Sequence, residues 1–152
     1  MSEQRGTLVP RWFWVISVGS LLWNLIGFAI FLSEVFGQDA KMDSMTEYQK
    51  EWMSSIPSWV DFVFAIAVST GVAGSICMLK RNASCVLLFS VSLVAVLIQM
   101  LYVLLIAGGL QVMGPSSALM PGLVILLSIA WLLFSIFFKG KGWLAPDHKV
   151  SN

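Results

Sequence analysis

Residues 58–107 read SWVDFVFAIAVSTGVAGSICMLKRNASCVLLFSVSLVAVLIQMLYVLLIA, two apolar runs parted by Lys80-Arg81-Asn82. Each run can cross a bilayer core, which takes roughly 20 helical residues. The three polar residues between them allow only a tight turn, so the runs form an antiparallel helical hairpin. Outward from this hairpin lie two more apolar runs, giving expected spans at 12–33, 58–79, 83–107 and 117–138. None carries a charge in its middle third. Backbone polar groups in lipid must be satisfied within their own segment, so each span is a helix. The first run is too long for a cleaved signal peptide.

Composition agrees. Of 152 residues, 58% are hydrophobic and 11% charged, with a mean hydropathy of +0.86. A soluble domain would be about 45–50% apolar and about 25% charged, and a short chain cannot hide such an excess in one core. The expectation is one all-α membrane domain over 1–152: a bundle of four transmembrane helices whose first partner is the lipid bilayer. A soluble enzyme and a disordered regulator are excluded, and a net charge of +1 offers nothing to nucleic acid.

Charge fixes the expected threading. Arg5, Arg11, Lys80, Arg81, Lys139, Lys141 and Lys149 fall on one side of the spans with Glu3 and Asp147, for a net charge of +5. The other side holds Lys41 and Lys50 with Glu34, Asp39, Asp43, Glu47, Glu51 and Asp61, for a net charge of −4. The positive-inside rule places both termini in the cytoplasm. Trp12, Trp14, Trp52, Trp59 and Trp143 mark the two boundaries as an aromatic belt.

The first outer loop has its own pattern. Ser44-Met45-Thr46-Glu47 reads as a capping box that opens a short helix over about 44–56. Met45, Tyr48, Trp52 and Ile56 recur at helical spacing, so this amphipathic helix is expected to lie in the outer interface, with a lid over the bundle as the alternative. The second outer loop, 108–116, is uncharged, and its Gly108, Gly109, Gly114 and Pro115 are expected to break the helices.

Few residues carry chemistry. Asn24 and Gln99 are amides at membrane depth, where an unpaired polar group is costly. They serve either as interhelical hydrogen-bonding groups or, with Trp23, as the wall of a small polar pocket. Glu34 and Asp61 lie at the outer mouth of the bundle. Ser58-Trp59-Val60-Asp61 reads as a second capping box, which would explain Asp61 without a ligand. Ala67, Gly71 and Ser75 repeat every fourth residue, a small-residue face that lets another helix approach closely, within the chain or in a homodimer. Cys77, Cys85 and the single His148 form no metal-ligand constellation. No cofactor motif or nucleophile–base pair is present, so an enzyme is not expected.

The segments Trp23-Asn24-Leu25-Ile26-Gly27, Pro57-Ser58-Trp59, and Phe64-Ala65-Ile66-Ala67-Val68 with Gly71 and Gly74 also carry a resemblance. So do Leu88-Phe89, Ser92-Leu93, Gln99-Met100, Gly114-Pro115, Met120-Pro121 and Lys141-Gly142-Trp143. Over nearly its whole length the chain resembles a family of small bacterial inner-membrane proteins often labelled sugar transporters. The resemblance implies a four-helix protein of the bacterial inner membrane. Two functions follow as expectations: a non-enzymatic accessory protein that binds a partner membrane protein or lipid, or a homodimeric carrier of a small sugar-like solute. No span carries an intramembrane carboxylate to couple protons, which favours the first.

Overall fold

A computed structural model describes residues 8–37 and 41–145. Helices α1 (Arg11–Phe36), α2 (Glu47–Ser55), α3 (Trp59–Leu79), α4 (Cys85–Leu101), α5 (Gly109–Met113) and α6 (Leu119–Gly140) follow in order. A π-helical turn at Tyr102–Ile106 extends α4, and a 3-10 turn at Pro115–Ala118 leads into α6. Four segments are long and apolar enough to cross a membrane: α1, α3, Cys85–Ile106 and Pro115–Gly140. This is the all-helical, four-span architecture of a multi-pass membrane protein.

The element boundaries follow local chemistry. Pro10, with φ −66° and ψ 154°, is the last extended residue before α1. The helix then outruns its expected end at 33 and closes at Gly37, whose N–H donates to Ser33 O at 2.8 Å. The expected third span was one helix over 83–107, whereas the helix starts at Cys85 and its last turn widens. There the Ala107 N–H donates to Tyr102 O, five residues back, at 2.8 Å. Gly108, at φ +75°, then stops it. Gly109 opens α5 rather than breaking a helix, and α6 begins at Leu119 and runs to Gly140, two residues later than expected at each end.

Both expected capping boxes are corrected. The box that opens α2 is Thr46 with Gln49: Gln49 N–H donates to Thr46 Oγ1 at 3.3 Å, and Thr46 N–H donates to Gln49 Oε1 at 3.1 Å. Ser44 instead donates to Lys41 O at 2.8 Å. Ser58 makes no capping bond, because its helical backbone (φ −60°, ψ −20°) turns the hydroxyl away from the first-turn N–H groups. Asp61 keeps its place in the first turn of α3, where the helix dipole favours an anion.

The spans pack in the order α1–α3–α4–α6. At one end, which we call the basic end, Arg11, Lys80, Arg81, Lys139 and Lys141 gather with no carboxylate among the described residues. Phe13, Met78, Cys85, Phe89, Phe138 and Leu144 form a closed core there. Phe13 and Phe138 lie 4.7 Å apart between ring centroids, and Trp12 meets Trp143 edge-on at 5.2 Å. The turn after α3 ends in a Schellman motif: Asn82 N–H donates to Cys77 O and Arg81 N–H to Met78 O. Arg81 holds the left-handed position (φ +58°) usually given to glycine. Tertiary bonds secure it, because Arg81 Nε donates to Trp143 O at 2.8 Å and Ala145 N–H donates to Arg81 O.

At the opposite, acidic end, α2 is tied to the bundle. Trp52 Nε1 donates to Ala107 O at 2.5 Å, while Trp59 of α3 meets Tyr102 of the π turn edge-on at 4.7 Å. A Cβ on Gly109 would stand 2.6 Å from Val103 O and 3.2 Å from the Trp52 ring, so only glycine lets this corner close.

Candidate functional site

The acidic-end halves of the four spans enclose a cavity of about 630 Å³. Trp23, Asn24 and Gln99 line it, and so do Glu34 and Asp61. The expected polar pocket and the expected mouth therefore belong to one space. Met53 and Ile56, at the end of α2 and just beyond it, line it too, so the amphipathic segment contributes to its wall.

The two amides have different roles. Asn24 Nδ2 donates to Ser20 O at 2.9 Å and to Ser75 Oγ at 3.2 Å. Ser75 lies 2.7 Å from the Ser20 hydroxyl and donates to Gly71 O at 2.9 Å. Asn24 is thus the hydrogen-bonding group that joins α1 to α3, in a network where each such bond contributes about 0.6–2 kcal/mol. Gln99 makes no side-chain hydrogen bond to any described residue. It is 9% exposed, and its buried Oε1 has no partner. An amide left this way in low dielectric loses about 1–3 kcal/mol unless something else binds it.

The small-residue face operates inside the chain. Ala67, Gly71 and Ser75 are all buried. Ala67 O accepts from Ser92 Oγ on α4 at 2.8 Å, Gly71 faces both Asn24 and Ser92, and Ser75 bonds across to α1. One stripe on α3 therefore seats α1 on one side and α4 on the other.

At the mouth, Glu34 has a partner that the sequence reading missed. Lys41 Nζ donates to its two oxygens at 2.6 and 2.5 Å. Both side chains are 40% exposed, so the pair is half in water. Asp61 is exposed and has no hydrogen bond or ion pair among the described residues.

The cavity wall is uneven. Its α3 and α4 residues Val60, Val68, Val96 and Gln99 are buried, whereas Ile26 and Ile30 of α1 and Met120 of α6 are exposed though they line it. α1 meets α6 chiefly through the rings at the basic end. The cavity thus opens sideways between the acidic-end halves of α1 and α6, and the Phe13–Phe138 core lies farther toward the basic end, outside its lining.

Sequence reasoning missed Ser20, Ser92 and Ser128 as well as Lys41. A signal existed for two of them. Ser20 precedes Asn24 by four residues and Ser92 precedes Gln99 by seven, so each shares a helical face with an amide already singled out. Among the described residues no group of three or more His, Cys, Asp or Glu could hold a metal ion. No family model, curated protein or solved structure matches the chain.

Proposed function

We propose that this protein is a non-enzymatic accessory protein of the bacterial inner membrane, with both termini cytoplasmic, and that it works by binding a small amphipathic molecule in the α1–α3–α4–α6 cavity. The observation that carries the reading is Gln99, a buried residue of the cavity wall whose Oε1 has no hydrogen-bond partner among the described residues. A volume of about 630 Å³ lies within the range of about 300–1,000 Å³ usual for small-molecule sites. The exposed rims on α1 and α6 support entry from the bilayer, which suits a molecule already partitioned into lipid. The excess of basic residues at one end supports the orientation, and the sequence resemblance supports the bacterial inner membrane.

A photoreactive, uncharged octanol analogue added to the protein in nanodiscs tests this. Saturable labelling of peptides from α4 and α6, reduced about tenfold in Gln99→Leu, is the expected result. Labelling that rises linearly with probe and ignores the substitution would overturn it.

Carriage of a small neutral solute by a homodimer is the second reading, favoured by the meeting of Trp23, Asn24 and Gln99 in one space. It requires the core around Phe13 and Phe138, both fully buried, to part. Counterflow of a labelled sugar in proteoliposomes that is lost in Gln99→Leu would support it. Asn24→Leu is the poorer control, since Asn24 also holds α1 to α3.

A further inference from the structure

The cavity reading leaves the chemistry of the occupant open, and two polar groups on the wall narrow it. Gln99 and Asp61 both line the cavity, and neither has a partner among the described residues. Their depths can be compared through the bond from Ser92 to the Ala67 carbonyl, which sets those two residues level. Asp61 stands six residues toward the acidic end from Ala67, about 9 Å at 1.5 Å per residue. Gln99 stands seven residues toward the same end from Ser92, about 10.5 Å on the same rise. The two groups therefore lie within about one residue of the same depth on adjoining helices.

The sign of a head group at that depth follows from the mouth. Lys41 is paired with Glu34 through both carboxylate oxygens, which leaves the Asp61 carboxylate without an ion-pair partner among the described residues. The Gln99 amide both accepts and donates, so it serves an N–H or an O–H equally well, and Asp61 makes the choice. Toward the basic end the walls are apolar, with Phe64, Val68, Val96 and Val124 among them. Phe31 and Phe64 meet edge-on at 5.2 Å and offer ring surface to a cation above the apolar part. The hydroxyl of Ser92 is already bonded to a backbone carbonyl, and so is that of Ser128, so the floor makes no demand on a tail.

We propose that the occupant is a lipophilic amine: an ammonium head held by Asp61 and Gln99, with an apolar body directed toward Val68 and Val96. This assignment rests on the cavity reading above and adds the charge of the ligand to it. The test is calorimetric titration of the full chain in phosphatidylcholine nanodiscs with octylamine and with octanol, empty nanodiscs serving as the blank. The two probes share a tail and differ in the head. Octylamine is expected to bind saturably and at least tenfold more tightly than octanol. Asp61→Asn should remove most of that advantage and leave octanol unchanged, Gln99→Leu should weaken both, and Glu51→Gln on α2 should alter neither. Asp61 is exposed and its replacement isosteric, so the variant keeps its fold, which circular dichroism verifies. Equal affinities for the two probes, or an amine preference that survives Asp61→Asn, would overturn the amine assignment while leaving the cavity in place. Absence of saturable binding by either probe would overturn both.

Discussion

The carboxamide of Asn24 fills the space that a side chain at Gly71 would need. A Cβ built on Gly71 would collide with Asn24 Oδ1 and stand 3.3 Å from Ser92 Oγ. The same amide donates through Nδ2 to Ser75, one turn along α3. Glycine at this position and a short amide on α1 are one device: the missing methyl lets a polar group cross the gap and lock α1 to α3. Close approach through small residues is how membrane helices gain packing and hydrogen bonds where lipid supplies no hydrophobic drive between them.

Gly71→Ala should therefore destabilise the bundle by about 1–3 kcal/mol, the usual cost of overpacking a tight interface. Asn24→Ala in the same chain removes the clashing group, so the double variant should recover part of the loss, with a coupling of about 1 kcal/mol. Unfolding in mixed micelles by a denaturing detergent measures this. Gly19→Ala is the control, since a Cβ there meets nothing within 4 Å and should leave stability unchanged or raise it.

Among the described residues, one indole makes the hydrogen bond between α2 and the end of the third span. Trp52→Phe keeps the ring but loses the Nε1–H bond to Ala107 O, a loss of about 1 kcal/mol. Limited proteolysis of the 41–58 segment should speed up several-fold, while melting of the four spans moves little.

The Glu34–Lys41 pair is short but half in water. Exposed pairs contribute about 0.2–1 kcal/mol, so a double-mutant cycle with Glu34→Gln and Lys41→Gln should give a coupling within that range, falling as salt is added. A much larger coupling would show that the pair is a structural latch between α1 and the loop.

Orientation is open to a direct chemical check. With Cys77 and Cys85 replaced by serine, single cysteines at Asp43 and Lys141 should react with a membrane-impermeant maleimide from opposite faces, the first from the periplasm. Labelling of both from one face would overturn the proposed threading, and labelling of the first from the cytoplasm would reverse it.

Much of this protein was legible in its residues. The four spans and the Lys80-Arg81-Asn82 turn follow from apolar run length, and the helix in the first loop from the spacing of Met45, Tyr48, Trp52 and Ile56; neither needs knowledge of neighbours. The capping boxes failed because Ser44 and Thr46 compete for one helix start two residues apart, and Ser58 has the right side chain on the wrong backbone. The π turn at 102–106 left no sequence signal at all. It ends where a tertiary bond falls, from Trp52 Nε1 to Ala107 O.

The site divides along the same line. Asn24, Gln99, Glu34 and Asp61 stand out in the sequence because lipid makes polar groups conspicuous. Their partners do not. α1 and α3 are apolar almost all round, so neither has a polar face to fix its rotation, and the sequence leaves each helix free to turn about its axis. Only the packed bundle decides that Asn24 bonds to Ser75 while Gln99 lines the cavity with its Oε1 unpartnered. The chain determined by itself its solvent, its spans and the charge at each end, because these depend on composition along one dimension. The pairing of amides, the use of the small-residue stripe on two sides of α3 and the sideways opening between α1 and α6 required three dimensions, because each depends on which atoms of distant helices meet.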